Sequence, residues 1–205
     1  MVNKHSKLMG LLLIVLVASA LISLGIGRYA LSLEQILQIL TAKLTALPID
    51  PIHQQVIFQV RLPRILSALC VGAGLALSGA ALQGIFRNPL VDPHIIALGV
   101  KVRRLRWLVI GLSGTLVACQ VAISGSIGWV GLIIPHISRM LVGANHQRLL
   151  PCTMLVGAIY MLWVDNAARA LTDNEIPISI LTALIGAPLF GILVYRLKRN
   201  GAMRD

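Results

Sequence analysis

The strongest constraint on this chain is a series of apolar runs long enough to cross a bilayer, separated by short basic segments. A hydrocarbon core about 30 Å thick takes about 20 residues of helix. The runs 8–27, 64–86, 107–124, 127–142, 149–166 and 178–196 approach or meet that length. Of the 205 residues, 57% are hydrophobic and 12% charged, too little polar surface for a soluble globule of this size. A backbone in lipid must satisfy its own hydrogen bonds, so such runs fold as helices. The expected class is all-α, a polytopic membrane helix bundle of about six spans in one domain over 1–205. The fourth run is short and the fifth is bounded by polar groups, which makes those two the weakest by length and composition.

The formal net charge is +11. The basic residues lie between apolar runs, as the positive-inside rule requires. With aromatics at 4% there is little to stack on bases, so no nucleic-acid partner is expected. A cytoplasmic N-terminus puts Lys4, Lys7, Arg87, Lys101, Arg103, Arg104, Arg106, Arg139, Arg148, Arg196, Lys198, Arg199 and Arg204 inside. Arg28, Lys43, Arg61, Arg64 and Arg169 then fall outside. This asymmetry predicts cytoplasmic N- and C-termini and an even number of spans. The first run contains "ASA" (Ala18–Ala20), which resembles a signal-peptidase site. Because the run continues to Gly27, it reads as a retained span.

Between the first two spans, "SLEQILQILTAKLTAL" places Leu33, Ile36, Leu37, Leu40, Leu44 and Leu47 on one helical face. Ser32 and Gln35 have capping-box spacing, which predicts a short helix lying on the outer membrane surface, ended by Pro48 and Pro51. The second span carries Gly72, Gly74, Ala76, Ser78, Gly79, Ala80 and Gly84. Small residues at this spacing let helix backbones approach closely, and tight packing in a bundle is their ordinary role. Pro135 and Pro188 interrupt apolar runs. Each removes an amide donor and is expected to kink or break its helix, which is tolerable only where a neighbour takes up the freed carbonyl.

Enzymatic readings are thin. "GLSG" (Gly111–Gly114) offers Ser113 as an intramembrane nucleophile in the manner of rhomboid proteases, which requires a histidine within hydrogen-bond reach. No histidine follows His146, and His136 is the one approximate candidate; packing is the commoner use of such a tetrapeptide. His53, His94, His136 and His146 stand on separate segments without metal-site spacing, so no metal and no cofactor is expected in this chain. Cys70, Cys119 and Cys152 read as small buried hydrophobes. There is no phosphate-binding glycine loop, so any ATP would be bound by another chain. Asp165 and Arg169 have i, i+4 spacing and read as a helix-end ion pair. Arg61 and Arg64 flank Pro63 at the outer mouth of the second span, and with Arg169 they suggest a docking surface for an acidic partner.

Three strings occur in order: "RLPRILSALCVGAGLALSGAALQGIFRNPLVDP", "GSIGWVGLIIPHISRMLVGANHQRLLP" and "VDNAARALTDNEIPISILTALIGAPLFGILVYR". Together they resemble the permease subunits of bacterial type II ABC importers for cobalamin, haem and ferric siderophores, over nearly all of Arg61 to Arg199. The resemblance implies a multi-pass subunit of the bacterial inner membrane that catalyses nothing itself, with an iron chelate favoured as substrate. It implies a second permease copy or paralogue in a dimer, cytoplasmic ABC ATPase subunits, and a periplasmic binding protein whose glutamates meet Arg61, Arg64 and Arg169. Charge-assisted Arg–Glu bonds suit such a reversible contact. The family has ten helices. Here "RNPLVDPHI" runs into "ALGVKVRRLR" around 95–97, which implies that helices three to six and most of the ATPase-coupling loop are absent, leaving Ala97, Leu98, Gly99 and Val100 as its tail. A chain without that loop is expected to be uncoupled from ATP, so a remnant that docks without transporting is the alternative.

Overall fold

The computed structural model describes residues 2–27, 29, 31–45, 50–87, 102–171 and 175–201. The junction at 95–97 and the candidate coupling residues Ala97–Val100 lie outside them. The described residues form helices and connecting turns, with no strand among them. In chain order the helices are α1 (Val2–Gly25), α2 (Leu33–Thr45), α3 (Pro51–Gln55), α4 (Leu62–Arg87), α5 (Val102–Ser124), α6 (Val130–Val142), α7 (His146–Ala170) and α8 (Ile178–Gly201).

Among the described residues, four stretches are long and apolar enough to cross a membrane: Lys4–Gly25, Pro51–Phe86, Arg103–Ser124 and His146–Ala170. The expected fifth span is thus a full-length helix despite its polar ends. The expected fourth, α6, has 13 residues, about 20 Å of rise, short of the hydrocarbon core. Pro188 sits inside an unbroken α8, and Pro135 inside an unbroken α6, so neither proline breaks its helix.

The second span begins earlier than its apolar pattern. Pro51, expected to end a helix, starts one: Asp50 caps it by accepting from the Ile52 amide at 2.9 Å, and Pro occupies the first turn, where its missing N–H is no loss. A π-helical segment, Val56–Arg61, then leads into α4. The Leu62 amide donates to the Ile57 carbonyl, one residue further back than in an α-helix. The wider turn lies immediately before Pro63, where an α-helix would set the pyrrolidine ring against a carbonyl four residues back. The continuous helix is 36 residues, about 54 Å. It exceeds the membrane core by several turns.

α4 is the central element, packed against α7, α6, α5 and α1. Glycines set its two closest crossings. A Cβ on Gly72 would stand 2.2 Å from the Gly157 carbonyl oxygen of α7, and one on Gly79 would stand 1.9 Å from the Gly131 carbonyl oxygen of α6. Val71, Leu75, Ala76, Val130, Ile134 and Met161 fill the space between these crossings.

The carbonyl freed by Pro135 is that of Gly131, four residues earlier. The Gln83 side chain on α4 takes it up: Nε2 donates to the Gly131 oxygen at 3.1 Å, with the Leu132 oxygen at 3.3 Å. Gln83 Oε1 in turn accepts from Arg139 Nη2. One amide therefore mends the ladder that the proline opens and ties α6 to α4.

Three expectations are corrected. α2 has the anticipated box, with the Ser32 amide donating to Gln35 Oε1 at 2.8 Å and the Gln35 amide to Ser32 Oγ at 3.2 Å. It does not simply lie on a lipid surface, because Ile36 and Ile39 are buried with Leu24, Ile57, Ile65 and Leu162 while Leu37 faces outward. Cys70 and Cys119 are exposed, and only Cys152 of the three is buried. Asp165 and Arg169 do form their i, i+4 pair at the end of α7, but with both side chains buried instead of exposed.

Candidate docking site at the helix ends

The C-terminal ends of α1 and α7 meet the N-terminal end of α4, and there the structure brings Arg61, Arg64 and Arg169 together. Their environments differ. Arg61 is 3% exposed, and its Nη1 and Nη2 donate to the carbonyls of Leu24 and Tyr29. Leu24 belongs to the last turn of α1, whose carbonyls have no intrahelical donors and carry the negative end of the helix dipole. Arg61 thus serves as a side-chain cap for α1.

Arg169 is 8% exposed and supports the same stretch of backbone. Its Nη1 donates to the Ile26 carbonyl at 3.2 Å; its Nη2 donates to Asn166 Oδ1 at 2.6 Å and to Ser23 Oγ at 3.2 Å. Ser23 Oγ also donates to Asn166 Oδ1 at 2.6 Å. One turn along α1, Trp163 Nε1 donates to Ser19 Oγ at 3.1 Å. Serines at 19 and 23 are therefore the polar seam by which α1 joins α7. Their i, i+4 spacing was visible in the sequence, but Asn166 and Trp163 as partners were not.

Arg64 is the arginine that reaches the surface, its side chain 30% exposed. Nε donates to Asp165 Oδ1 at 2.9 Å, and Nη1 lies 3.0 Å from each Glu175 carboxylate oxygen. Asp165, 2% exposed, reaches Arg169 Nε with its other oxygen at 3.1 Å, a pair close in distance but not aligned as a hydrogen bond. Asp165 is the hub: a buried carboxylate between two guanidiniums, its charge balanced in a place where an unpaired one would be strongly destabilising. Sequence reasoning missed Glu175 altogether. It is 111 residues from Arg64, and no local spacing links them.

The other candidates stay apart from this cluster. Ser113 is buried in α5, and His136 sits on α6. Among the described residues no group of three or more His, Cys, Asp or Glu is placed to hold a metal ion. A shallow groove of about 400 Å³ runs beside Pro51, Gln54, Gln55, Phe58 and Gln59, without a titratable side chain.

The sequence matches the FecCD transport family over residues 13–97 and again over 96–196. The chain belongs to the FecCD transport family. It is 47% identical to the molybdate import system permease protein MolB of Haemophilus influenzae over 331 aligned positions, covering 97% of this chain and 98% of that protein. It is 44% identical to the hemin transport system permease protein HmuU of Yersinia pestis over 54% of this chain, which spans 34% of that protein's length. The fold is similar to a solved metal-chelate type ABC transporter in an inward-facing conformation, with a TM-score of 0.75, 43% identity, and coverage of 93% of this chain and 99% of that one. As a FecCD protein it is a multi-pass ABC importer permease, and its helical bundle accords with that membership. Its relatives are transport subunits, so the protease reading of Ser113 finds no support among them.

Proposed function

We propose that this chain is an internally shortened FecCD permease from an importer of molybdate or a similar tetrahedral oxyanion. The observation that carries the substrate is the match to the molybdate permease, 47% identity spanning 97% of this chain and 98% of the relative. The iron-chelate substrate expected from the sequence is the second reading, favoured by the metal-chelate type structure at 43% identity. The shortening is supported by the family match, which falls into two blocks that meet at residues 96–97. It is supported too by an alignment of 331 positions against a chain of 205 residues.

In this reading the end of the bundle that holds the arginine cluster faces the periplasm and meets a binding protein through carboxylates. Arg64 is the point of contact because it is accessible, while Arg61 and Arg169 hold the surface in shape from beneath. A permease partner completes the dimer, and cytoplasmic ATPase subunits drive the cycle. With the coupling loop reduced to Ala97–Val100, ATP closure has nothing to push, so the chain as it stands docks but does not transport.

Uptake decides between these. The chain is expressed with an ABC ATPase and a periplasmic binding protein of a molybdate import system, in cells lacking their own molybdate importer, and accumulation of labelled molybdate and of a ferric siderophore is measured. Molybdate uptake that appears only when the internal segment is restored supports both parts of the reading. Siderophore uptake instead moves the substrate to the second reading, and uptake by the unrestored chain overturns the loss of coupling.

A further inference from the structure

The two acids that hold Arg64 are not equivalent. Asp165 grips Nε from within the bundle, 2% exposed and shared with Arg169. Glu175 grips Nη1 from outside, its side chain 48% exposed, on the short segment between α7 and α8. Both its carboxylate oxygens lie 3.0 Å from the same nitrogen. Among the described residues of the cluster it is the accessible acid, and it occupies the position that an incoming carboxylate would need.

The segment carrying Glu175 is anchored without it. The Ile176 amide donates to the Ala168 carbonyl at 3.2 Å, and the Pro177 carbonyl accepts from the Ile180 amide at 3.0 Å. Ile176 and Pro177, next to Glu175, are therefore tied to α7 and α8 by bonds that do not involve the Glu175–Arg64 pair.

We propose that Glu175 is an intramolecular stand-in for a partner's carboxylate, paired with Arg64 while the surface is free and displaced when an acidic partner docks. The inference rests on the docking reading above and adds how docking is made reversible. Displacement exchanges one Arg–carboxylate pair for another of the same kind, so the partner gains only the difference between them. A bare guanidinium at that point would retain the partner longer and attract unrelated anions. Asp165 meanwhile holds the guanidinium by Nε, so Arg64 stays in position throughout the exchange.

The test is capture of the periplasmic binding protein of a molybdate import system by the purified chain in lipid nanodiscs, at low and high salt. Glu175→Gln, which keeps the length of the side chain and an acceptor oxygen, is expected to lower Kd about two- to fivefold at low salt, the range of an exposed ion pair. The gain should shrink at high salt. Glu175→Asp, with a shorter reach, should fall between. Arg64→Gln should weaken capture, and in that background Glu175→Gln should change nothing further. Capture that depends on Arg64 but is unchanged or weakened by Glu175→Gln overturns the stand-in role and leaves the docking site intact. Capture indifferent to Arg64→Gln, or no capture by the unaltered chain, overturns the docking reading and the stand-in with it.

Discussion

At the scale of single residues, this protein uses long polar side chains to finish backbone that its helices leave open. Gln83 closes the carbonyl exposed by Pro135, and Arg61 and Arg169 close those at the end of α1. A buried carbonyl left without a donor costs about 1–3 kcal/mol. The Gly131 carbonyl is part-buried, so Gln83→Leu should lower stability by about 1 kcal/mol, the lower end of that range, read from unfolding in mixed micelles. In a Pro135→Ala background, where residue 135 regains its own amide, the same substitution should cost measurably less; additive losses would show that Gln83 acts only through Arg139. Arg61→Ala should reduce the yield of folded protein, because it strands the buried Leu24 carbonyl and frees the part-buried one of Tyr29. Arg64→Ala should weaken capture of the binding protein and, because it leaves buried Asp165 with only the unaligned Arg169 beside it, also lower the yield, so capture is compared per amount of folded protein on the same preparations.

At the scale of helices, α4 is held by contact distance. Without a hydrophobic drive between helices in lipid, close backbone approach and van der Waals contact supply the cohesion. Gly72 against Gly157 and Gly79 against Gly131 set the approach of α7 and α6 to α4, and at each the nearest opposing atom is a backbone carbonyl oxygen. Gly72→Ala or Gly79→Ala should push the helices apart and lower thermal stability by several degrees in detergent. A Cβ on Gly111 in α5 would meet nothing within 4 Å. Gly111→Ala should be neutral, or stabilising by about 0.5–1 kcal/mol through helix propensity. A loss at Gly111 equal to that at Gly79 would mean that α5 is covered by a partner in the membrane.

For the whole molecule, the distribution of burial is uneven. In the 18-residue apolar core of each span, 50% of Pro51–Phe86 and 56% of His146–Ala170 is buried, against 17% of Lys4–Gly25 and 11% of Arg103–Ser124. α4 and α7 form a core, and α1 and α5 border it with most of their surface open to lipid or to another subunit. Restoring the internal segment should stabilise the bundle and recover ATP hydrolysis that responds to the loaded binding protein, measured with the partner ATPase in proteoliposomes. Stimulation already complete in the unrestored chain would place the coupling contact elsewhere than the loop.

The sequence by itself determined the class, the positions of most helices, the capping box at Ser32 and Gln35, the close-packing role of the small residues, and the arginines that share one end of the bundle. Those features are local: apolar length, spacing of caps, and charge beside a span can be read within about 20 residues. Tertiary structure alone decided that Arg61 and Arg169 turn inward while Arg64 stays accessible, that Gln83 answers Pro135, and that Glu175 covers Arg64. Each of these joins residues far apart in the chain, and which side chain a guanidinium or a freed carbonyl meets depends on which helices pack together. A polar group in lipid takes whatever partner the packing brings within reach, and no spacing in the sequence specifies that partner.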